Sequence, residues 1–271
     1  MSDKQRLDKL LVERGFFDSR EKARAAVMAG VILVNGVLID KSGHKLSREC
    51  KIEVKEKMRY VSRGGLKLEK AIRAFNIDLS GRVLLDVGAS TGGFTDCALK
   101  HGAKKVYAVD VGYGQLAWQL RQDPRIFVFE RTNIRHFTLD RLKKSQYFEP
   151  PNFVTIDVSF ISLAKVMPKV CELIDENAEG VALIKPQFEA GPDKVGKRGV
   201  VRDPNVHKEV IKSVVEAALA LNANPLMLDY SPIKGPEGNI EYLLYFTKRQ
   251  EDESSVYEKI DDIVEKANKE L

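Results

Sequence analysis

Two different patterns of apolar residues divide this chain near residue 60. Before that point the apolar stretches are short. Leu7, Leu10 and Leu11 share one face of a predicted helix from Arg6 to Arg14. Ala23, Ala26 and Val27 form the stripe of a second helix, which starts after Ser19, a good N-cap, and stops at Gly30. Val31-Ile32-Leu33-Val34 and Val37-Leu38-Ile39-Asp40 flank Asn35-Gly36, the strongest short hairpin signal. Lys51-Ile52-Glu53-Val54 reads as one more strand, and the charged stretch Lys55 to Arg59 as a linker.

After residue 60 the runs lengthen. Tyr60-Val61-Ser62-Arg63-Gly64-Gly65 leads into a helix with Leu66, Ile72 and Phe75 apolar and Lys67 and Lys70 polar. Strands are then expected near 82–87, 105–110, 126–130, 152–157, 180–185, 225–230 and 241–247, and helices near 92–101, 115–122, 162–173 and 204–221. This alternation predicts a mainly parallel sheet with helices on both faces, an α/β class. Only a loop separates the last two strands, which suits antiparallel pairing. Val256, Ile260, Ile263, Ala267 and Leu271 recur at helical spacing, so an amphipathic helix ends the chain.

The first long strand runs into Asp86-Val87-Gly88-Ala89-Ser90-Thr91-Gly92-Gly93-Phe94-Thr95-Asp96. A buried strand followed by glycines and a helix brings backbone close to a ligand, because no Cβ intervenes. A phosphate-cradling loop requires Lys after its last Gly, and Phe94 stands there. A dinucleotide fingerprint requires Gly where Ser90 stands. The remaining pattern suits a nucleoside joined to an amino acid, and S-adenosylmethionine fits. Asp110 closes the next strand, 24 residues after Asp86, near the ~20-residue offset at which a carboxylate meets ribose hydroxyls. Such a turn also occurs without any ligand.

Charge changes the picture in one place. Residues 1–60 carry 14 Lys and Arg against 9 Asp and Glu, while the other 211 residues carry 30 of each. The whole excess of +5 therefore lies in the first segment, which points to an anionic macromolecule or to solvated surface lysine. No apolar run reaches membrane-spanning length, and the first residues lack the apolar core of a signal peptide. Cys50, Cys97 and Cys171 read as buried thiols of a cytoplasmic protein. Neither they nor the four histidines cluster at metal-ligand spacing, so no metal is expected.

Three polar residues stand at strand ends: Asp157, Lys185 and Glu241. Each alone has a bland reading, a cap or a snorkelling edge lysine. Together, beside a nucleoside-type loop, they look like a site. Methylating a hydroxyl requires the oxygen, the methyl carbon and the departing sulfur to be aligned. Positioning supplies on the order of 7–11 kcal/mol at best. It also requires a base, which a lysine becomes when desolvation or a neighbouring cation lowers its pKa. Lys67 is the candidate neighbour, since its helix precedes the first strand. The long basic loop from Pro186 to Arg202 is expected to fold over substrate, although a plain surface loop has the same composition.

Arg6-Leu7-Asp8, Leu11, Ser19-Arg20, Ala23, Gly30, Val31 and Val34-Asn35-Gly36 resemble the S4 RNA-binding domain over about the first 55 residues. The resemblance implies that Arg6, Arg20, Lys22 and Arg24 contact phosphates. A small α+β packing module would show the same elements. Further along, Ser62-Arg63-Gly64-Gly65-Leu66-Lys67-Leu68, the glycine loop, Asp110-Val111-Gly112-Tyr113-Gly114-Gln115-Leu116 and Glu130-Arg131-Thr132-Asn133 resemble the TlyA (hemolysin A) family. So do Asp157-Val158-Ser159-Phe160-Ile161-Ser162, Lys185-Pro186-Gln187-Phe188-Glu189 and Gly238-Asn239-Ile240-Glu241-Tyr242.

That family joins an S4 domain to an FtsJ-like methyltransferase domain, here residues 1–58 and 63–271 with a linker at 59–62. The resemblance implies a Rossmann-like S-adenosylmethionine-dependent sheet and 2′-O-methylation of cytidine in ribosomal RNA, on naked RNA or ribosomal subunits. It places a catalytic tetrad at Lys67, Asp157, Lys185 and Glu241, with Lys185 as base. Asp86, Gly88, Ser90, Thr91, Gly92, Gly93, Phe94, Asp110, Thr132, Asn133 and Asp157 would hold the cofactor. Arg63, Lys194, Lys197 and Arg198 join the expected RNA contacts. The linker's effect on cofactor binding carries over to Arg59. An S4 segment that starts near residue 6 fits the branch that modifies both subunits' RNA. Competing readings are a non-catalytic ribosome-assembly factor, a membrane-active hemolysin and an S4-linked pseudouridine synthase; the last leaves the glycine loop unexplained.

Overall fold

The computed structural model describes residues 4–28, 30–39, 41–54, 59–250 and 256–271. These fall into two units, Met1–Arg59 and Tyr60–Leu271. In the first, β1 (Lys4–Arg6), α1 (Leu7–Glu13), α2 (Arg20–Met28), β2 (Ile32–Val34), β3 (Val37–Leu38), β4 (Lys45–Ser47) and β5 (Ile52–Val54) follow in order. Leu7, Leu10, Leu11, Ala23 and Val27 bury the helix stripes against Ile32, Val34 and Ile52. Ser19 Oγ accepts from the Lys22 N–H at 3.2 Å, capping α2. Asn35 (φ 51°) and Gly36 (φ 78°) adopt the left-handed pair that a two-residue hairpin needs. Arg6 ends β1 and does not open α1 as expected; β1 pairs antiparallel with β4, and neither strand was expected. Three residues are too few to show alternation. Asp40 and the linker residues 55–58 lie outside the described residues.

The second unit contains α3 (Gly64–Ala74), β6 (Val83–Val87), α4 (Gly93–Lys100), β7 (Lys105–Val109), α5 (Trp118–Arg121), β8 (Ile126–Phe129), α6 (Leu139–Lys143) and β9 (Phe153–Ile156). It continues with α7 (Met167–Leu173), β10 (Glu179–Ile184), α8 (Pro186–Glu189), α9 (Pro204–Leu219), β11 (Asn224–Tyr230), β12 (Tyr242–Thr247) and α10 (Val256–Glu270). The seven-stranded sheet has the order β11-β12-β10-β9-β6-β7-β8. β12 runs antiparallel to β10 and β11, and the other pairs are parallel. Leu85, Val87, Val154 and Ile156 belong to the core on one face; Leu84, Phe153, Val181 and Leu183 belong to the other. Burial on both faces explains why these strands read as unbroken apolar runs.

Departures from expectation are local. The helix expected at 162–173 is a 3₁₀ turn, Leu163–Lys165, followed by α7 with Pro168 in its first turn. The basic loop after β10 contains α8 and two 3₁₀ turns, Pro192–Lys194 and Lys197–Gly199. Cys50 and Cys97 are buried, whereas Cys171 is half-buried.

Candidate active site

The parallel strands β6, β7, β9 and β10 end at one edge of the sheet, and antiparallel β12 begins there, Tyr242 facing Ile184. That register sets Lys185, just after β10, beside Glu241, just before β12. Asp157 follows β9, which neighbours β10. Lys67, one turn into α3, reaches the same edge. Lys67 Nζ donates to Glu241 Oε2 at 2.6 Å and lies 4.0 Å from Asp157 Oδ2. Lys185 Nζ lies 2.5 Å from Asp157 Oδ1 and donates to Ser159 Oγ at 3.0 Å. The Lys185–Asp157 contact is an ion pair without hydrogen-bond alignment: Asp157 Oδ1 and Glu241 Oε1 are both buried with no hydrogen bond. Both lysines and Glu241 are buried. Two cations and two anions thus sit at the mouth of the sheet, where ligands of open α/β folds bind.

Asp157 also lines a cavity of about 470 Å³ with Gly88, Ser90, Asp110, Thr132 and Asn133. Asp110 Oδ2 accepts from the Ser90 N–H at 2.8 Å and Oδ1 from the Gly112 N–H at 2.6 Å, tying the glycine loop to the end of β7. The charged side chains of the lining are Asp110, Asp157 and Arg135. Two carboxylates against one cation suit a ligand that carries its own positive charge. Gly88 (φ 87°) has the Asp157 carbonyl oxygen 2.5 Å from where a Cβ would stand. Any side chain there would push the loop off the strand that carries Asp157.

Asp86, Thr91, Gly92, Gly93 and Phe94 stand outside the lining. Asp86 is fully buried, and its oxygens accept from Thr95 Oγ1 at 2.6 Å and Thr155 Oγ1 at 2.8 Å. Gly93 allows close packing, since a Cβ would lie 2.3 Å from Ser62 Oγ. Phe94 and Tyr60 are buried in the same core. The Val61 N–H donates to Asp96 Oδ2 at 2.8 Å. Residues 60–62 therefore pack on the helix that follows the glycine loop.

Sequence reasoning assigned no role to Ser159, Phe160 or Glu189. Phe160, 90% exposed with φ 63°, lies against Phe188 with ring centroids 5.0 Å apart. Glu189 Oε1 accepts from the Leu163 N–H at 2.8 Å, and burial raises its pKa. These contacts join the segment after Asp157 to the one after Lys185. All three lie inside motifs already noted, but side-chain direction is invisible in a motif.

The expected RNA contacts are distributed differently. In the first unit, Arg6 and Arg20 converge on buried Asp8, each with an Nη2 at 2.9 Å from Oδ2. Their hydrogen bonds hold the Asp8 carboxyl well below its usual range. Lys22 pairs with Asp18, and Arg24 is exposed. In the second unit, Arg63, Lys197 and Arg198 are exposed, and Lys194 pairs with Glu209.

A mostly parallel sheet with one antiparallel strand and an acid-lined cavity after its first strand is the architecture of S-adenosylmethionine-dependent methyltransferases, and the family comparison assigns this chain to that class. The FtsJ-like methyltransferase family matches residues 60–248, and the S4 domain matches residues 5–49. YqxC of Bacillus subtilis, named provisionally as an rRNA methyltransferase, is 49% identical over 274 residues, covering 100% of this chain and 96% of that protein. TlyA of Mycobacterium tuberculosis, named as a 16S/23S rRNA (cytidine-2′-O)-methyltransferase, is 40% identical over 98% of both chains. A Streptococcus thermophilus structure described provisionally as a hemolysin superposes with TM-score 0.77 at 42% identity, covering 100% of this chain and 98% of that one. The chain belongs to the FtsJ-like methyltransferase family, in the S4-linked group that carries the TlyA and hemolysin A names. Its cofactor is S-adenosylmethionine. No helix among the described residues is long and apolar enough to cross a membrane.

Proposed function

We propose that this protein methylates the 2′-oxygen of cytidine ribose in ribosomal RNA, with Lys67, Asp157, Lys185 and Glu241 as its catalytic group. The observation that carries this reading is the convergence of those four side chains at one sheet edge, with Asp157 shared between them and the cofactor cavity. Asp110, Asp157 and the backbone at Gly88 and Ser90 line the cavity and would hold the cofactor. S-adenosylmethionine supplies an electrophilic methyl carbon on a sulfonium. Lys185 Nζ is the group that would take the hydroxyl proton as the 2′-oxygen accepts the methyl group. Asp157 and Ser159 aim Lys185; Glu241 holds Lys67 beside them, so the reacting oxygen meets a fixed array.

In this reading residues 1–58 capture RNA, 59–62 link, and 63–271 transfer the methyl group. The substrate is a ribosomal subunit or its RNA, in the cytoplasm. The full-length likeness to a relative named for both 16S and 23S rRNA supports action on both. The test is nucleoside mass spectrometry of ribosomal RNA incubated with the protein and labelled S-adenosylmethionine, with Lys185→Ala alongside. New 2′-O-methylcytidine is expected from the unaltered protein alone, while the variant keeps cofactor affinity within a few-fold. Full activity in Lys185→Ala would remove Lys185 as base. No methylation of RNA or either subunit would remove the reaction.

A further inference from the structure

Cations at the two ends of the central sheet have different fates. At the end away from the tetrad four of them are neutralised: Arg82 and Arg249 pair with Glu179 at 2.8 and 3.3 Å, and Lys104 and Lys105 with Glu149 at 2.5 and 3.0 Å, while Lys143 and Lys144 are exposed. At the tetrad end, Arg135, Lys165, Lys197, Arg198, Arg202 and Lys234 are exposed, and none has a carboxylate within ion-pair distance among the described residues. The same loops carry the exposed acids Asp193, Asp203 and Glu237, fewer than the six cations, so the edge keeps a positive excess where an anionic strand would run.

Arg202 and Lys234 line a second cavity of about 490 Å³, with Val201, Ile240 and Asn268 in its wall and Glu237 as its one acidic side chain. The wall is fixed by hydrogen bonds. Asn239 Oδ1 accepts from the Val201 N–H at 3.1 Å, and Asn239 Nδ2 donates to the Gly199 carbonyl at 2.9 Å. His207 Nε2 lies 3.0 Å from the Val201 carbonyl, so it carries the proton; Nδ1 then accepts from the Tyr242 hydroxyl at 2.7 Å. Burial lowers the His207 pKa, which keeps that neutral tautomer. Asn239 and Tyr242 bracket Ile240-Glu241, so this cavity and the tetrad share one continuous segment of chain.

We infer that this second cavity is an RNA subsite: it takes a nucleotide flanking the methylated one, with Arg202 and Lys234 on its phosphate. The inference rests on the proposed RNA methylation and deepens it. Phosphate contacts carry no base information but set the register of the strand on the enzyme. Fixing a flanking nucleotide would place one ribose, and not its neighbours, over Lys185.

The experiment compares the full-length protein with Arg202→Ala/Lys234→Ala. RNA affinity is measured by fluorescence anisotropy on a ribosomal RNA fragment across a salt series, beside KM for the same RNA. Each lost phosphate contact lowers the slope of log affinity against log salt by roughly one. The double variant is expected to lose about one unit of slope and to raise KM about tenfold, with cofactor affinity unchanged. Lys234→Gln, a single exposed change, is expected to lose about half of that slope and serves if the double variant is unstable. A fragment cut to remove the flanking nucleotides is expected to bind both proteins alike. Retention of the full slope and KM would overturn the subsite. Because the slope is read from binding, it stands or falls apart from methylation, whose absence in the unaltered protein would instead remove the proposed reaction.

Discussion

Asp86 is a carboxylic acid in the wrong solvent. It is fully buried, and burial pushes its pKa up to about 6 although Thr95 and Thr155 both donate to it. Its folded pKa exceeds its unfolded value, so its contribution to stability is fully present below about pH 4 and is lost as pH rises through about 6. The difference is about 3 kcal/mol. Asp86→Asn keeps one acceptor, turns an N–H donor to the other threonine hydroxyl, which can accept, and has no charge to bury. Between pH 4 and 7, urea denaturation is expected to show the variant gaining on the unaltered protein as pH rises; a constant difference would mean Asp86 is not desolvated. The Asp-x-Gly spacing marked this residue as an expected cofactor contact, but spacing carries no information on where the carboxylate points. Asp86 sits short of the strand's open end, on the face covered by α4, so its carboxylate meets Thr95 and not the cavity. Asp110 and Asp157 come just past the ends of their strands and line it.

At the scale of elements, one buried acid draws two arginines of the first unit together. Asp8 on α1 accepts from Arg6 at the end of β1 and from Arg20 at the start of α2. Its pKa is depressed, so the stability it contributes is present above the ordinary carboxylate range and is lost on acidification. Asp8→Ala is expected to release both guanidinium groups, lower the melting temperature and weaken RNA binding about tenfold, roughly the loss of one or two oriented phosphate contacts. Anisotropy and thermal melts check it; unaltered RNA affinity would show that Arg6 and Arg20 need no such anchor. The same unit shows what a sequence pattern can carry. The Asn-Gly hairpin and the two leucine- and alanine-striped helices stand near their expected places, because each rests on local chemistry. β1 and β4 exist only through pairing with each other, and α6 and α8 span 5 and 4 residues, too few to establish a period.

On the scale of the whole molecule, the two units differ in charge. The first 60 residues hold the entire positive excess, and the second unit holds the proposed tetrad and the cavity. The join is not neutral spacer, however. Tyr60 is buried against Gly65, where a Cβ would lie 2.4 Å from the ring, and the Val61 N–H is spent on Asp96. Two truncations separate these roles. A chain of residues 59–271 keeps the Tyr60 contacts and is expected to bind S-adenosylmethionine within a few-fold of the full protein by calorimetry, while its RNA affinity falls with the loss of Arg6, Arg20 and their neighbours. A chain of residues 63–271 loses the buried ring as well. Removing a large aromatic side chain from a core costs on the order of 3–5 kcal/mol. It also leaves Asp96 short of a donor and opens space beside Gly93, at the start of the helix after the glycine loop. That shorter chain is expected to melt lower and to lose cofactor affinity. If both truncations bound cofactor equally, residues 59–62 would be a tether and nothing more. If 59–271 bound RNA as tightly as the full chain, the basic first unit would not be its RNA grip.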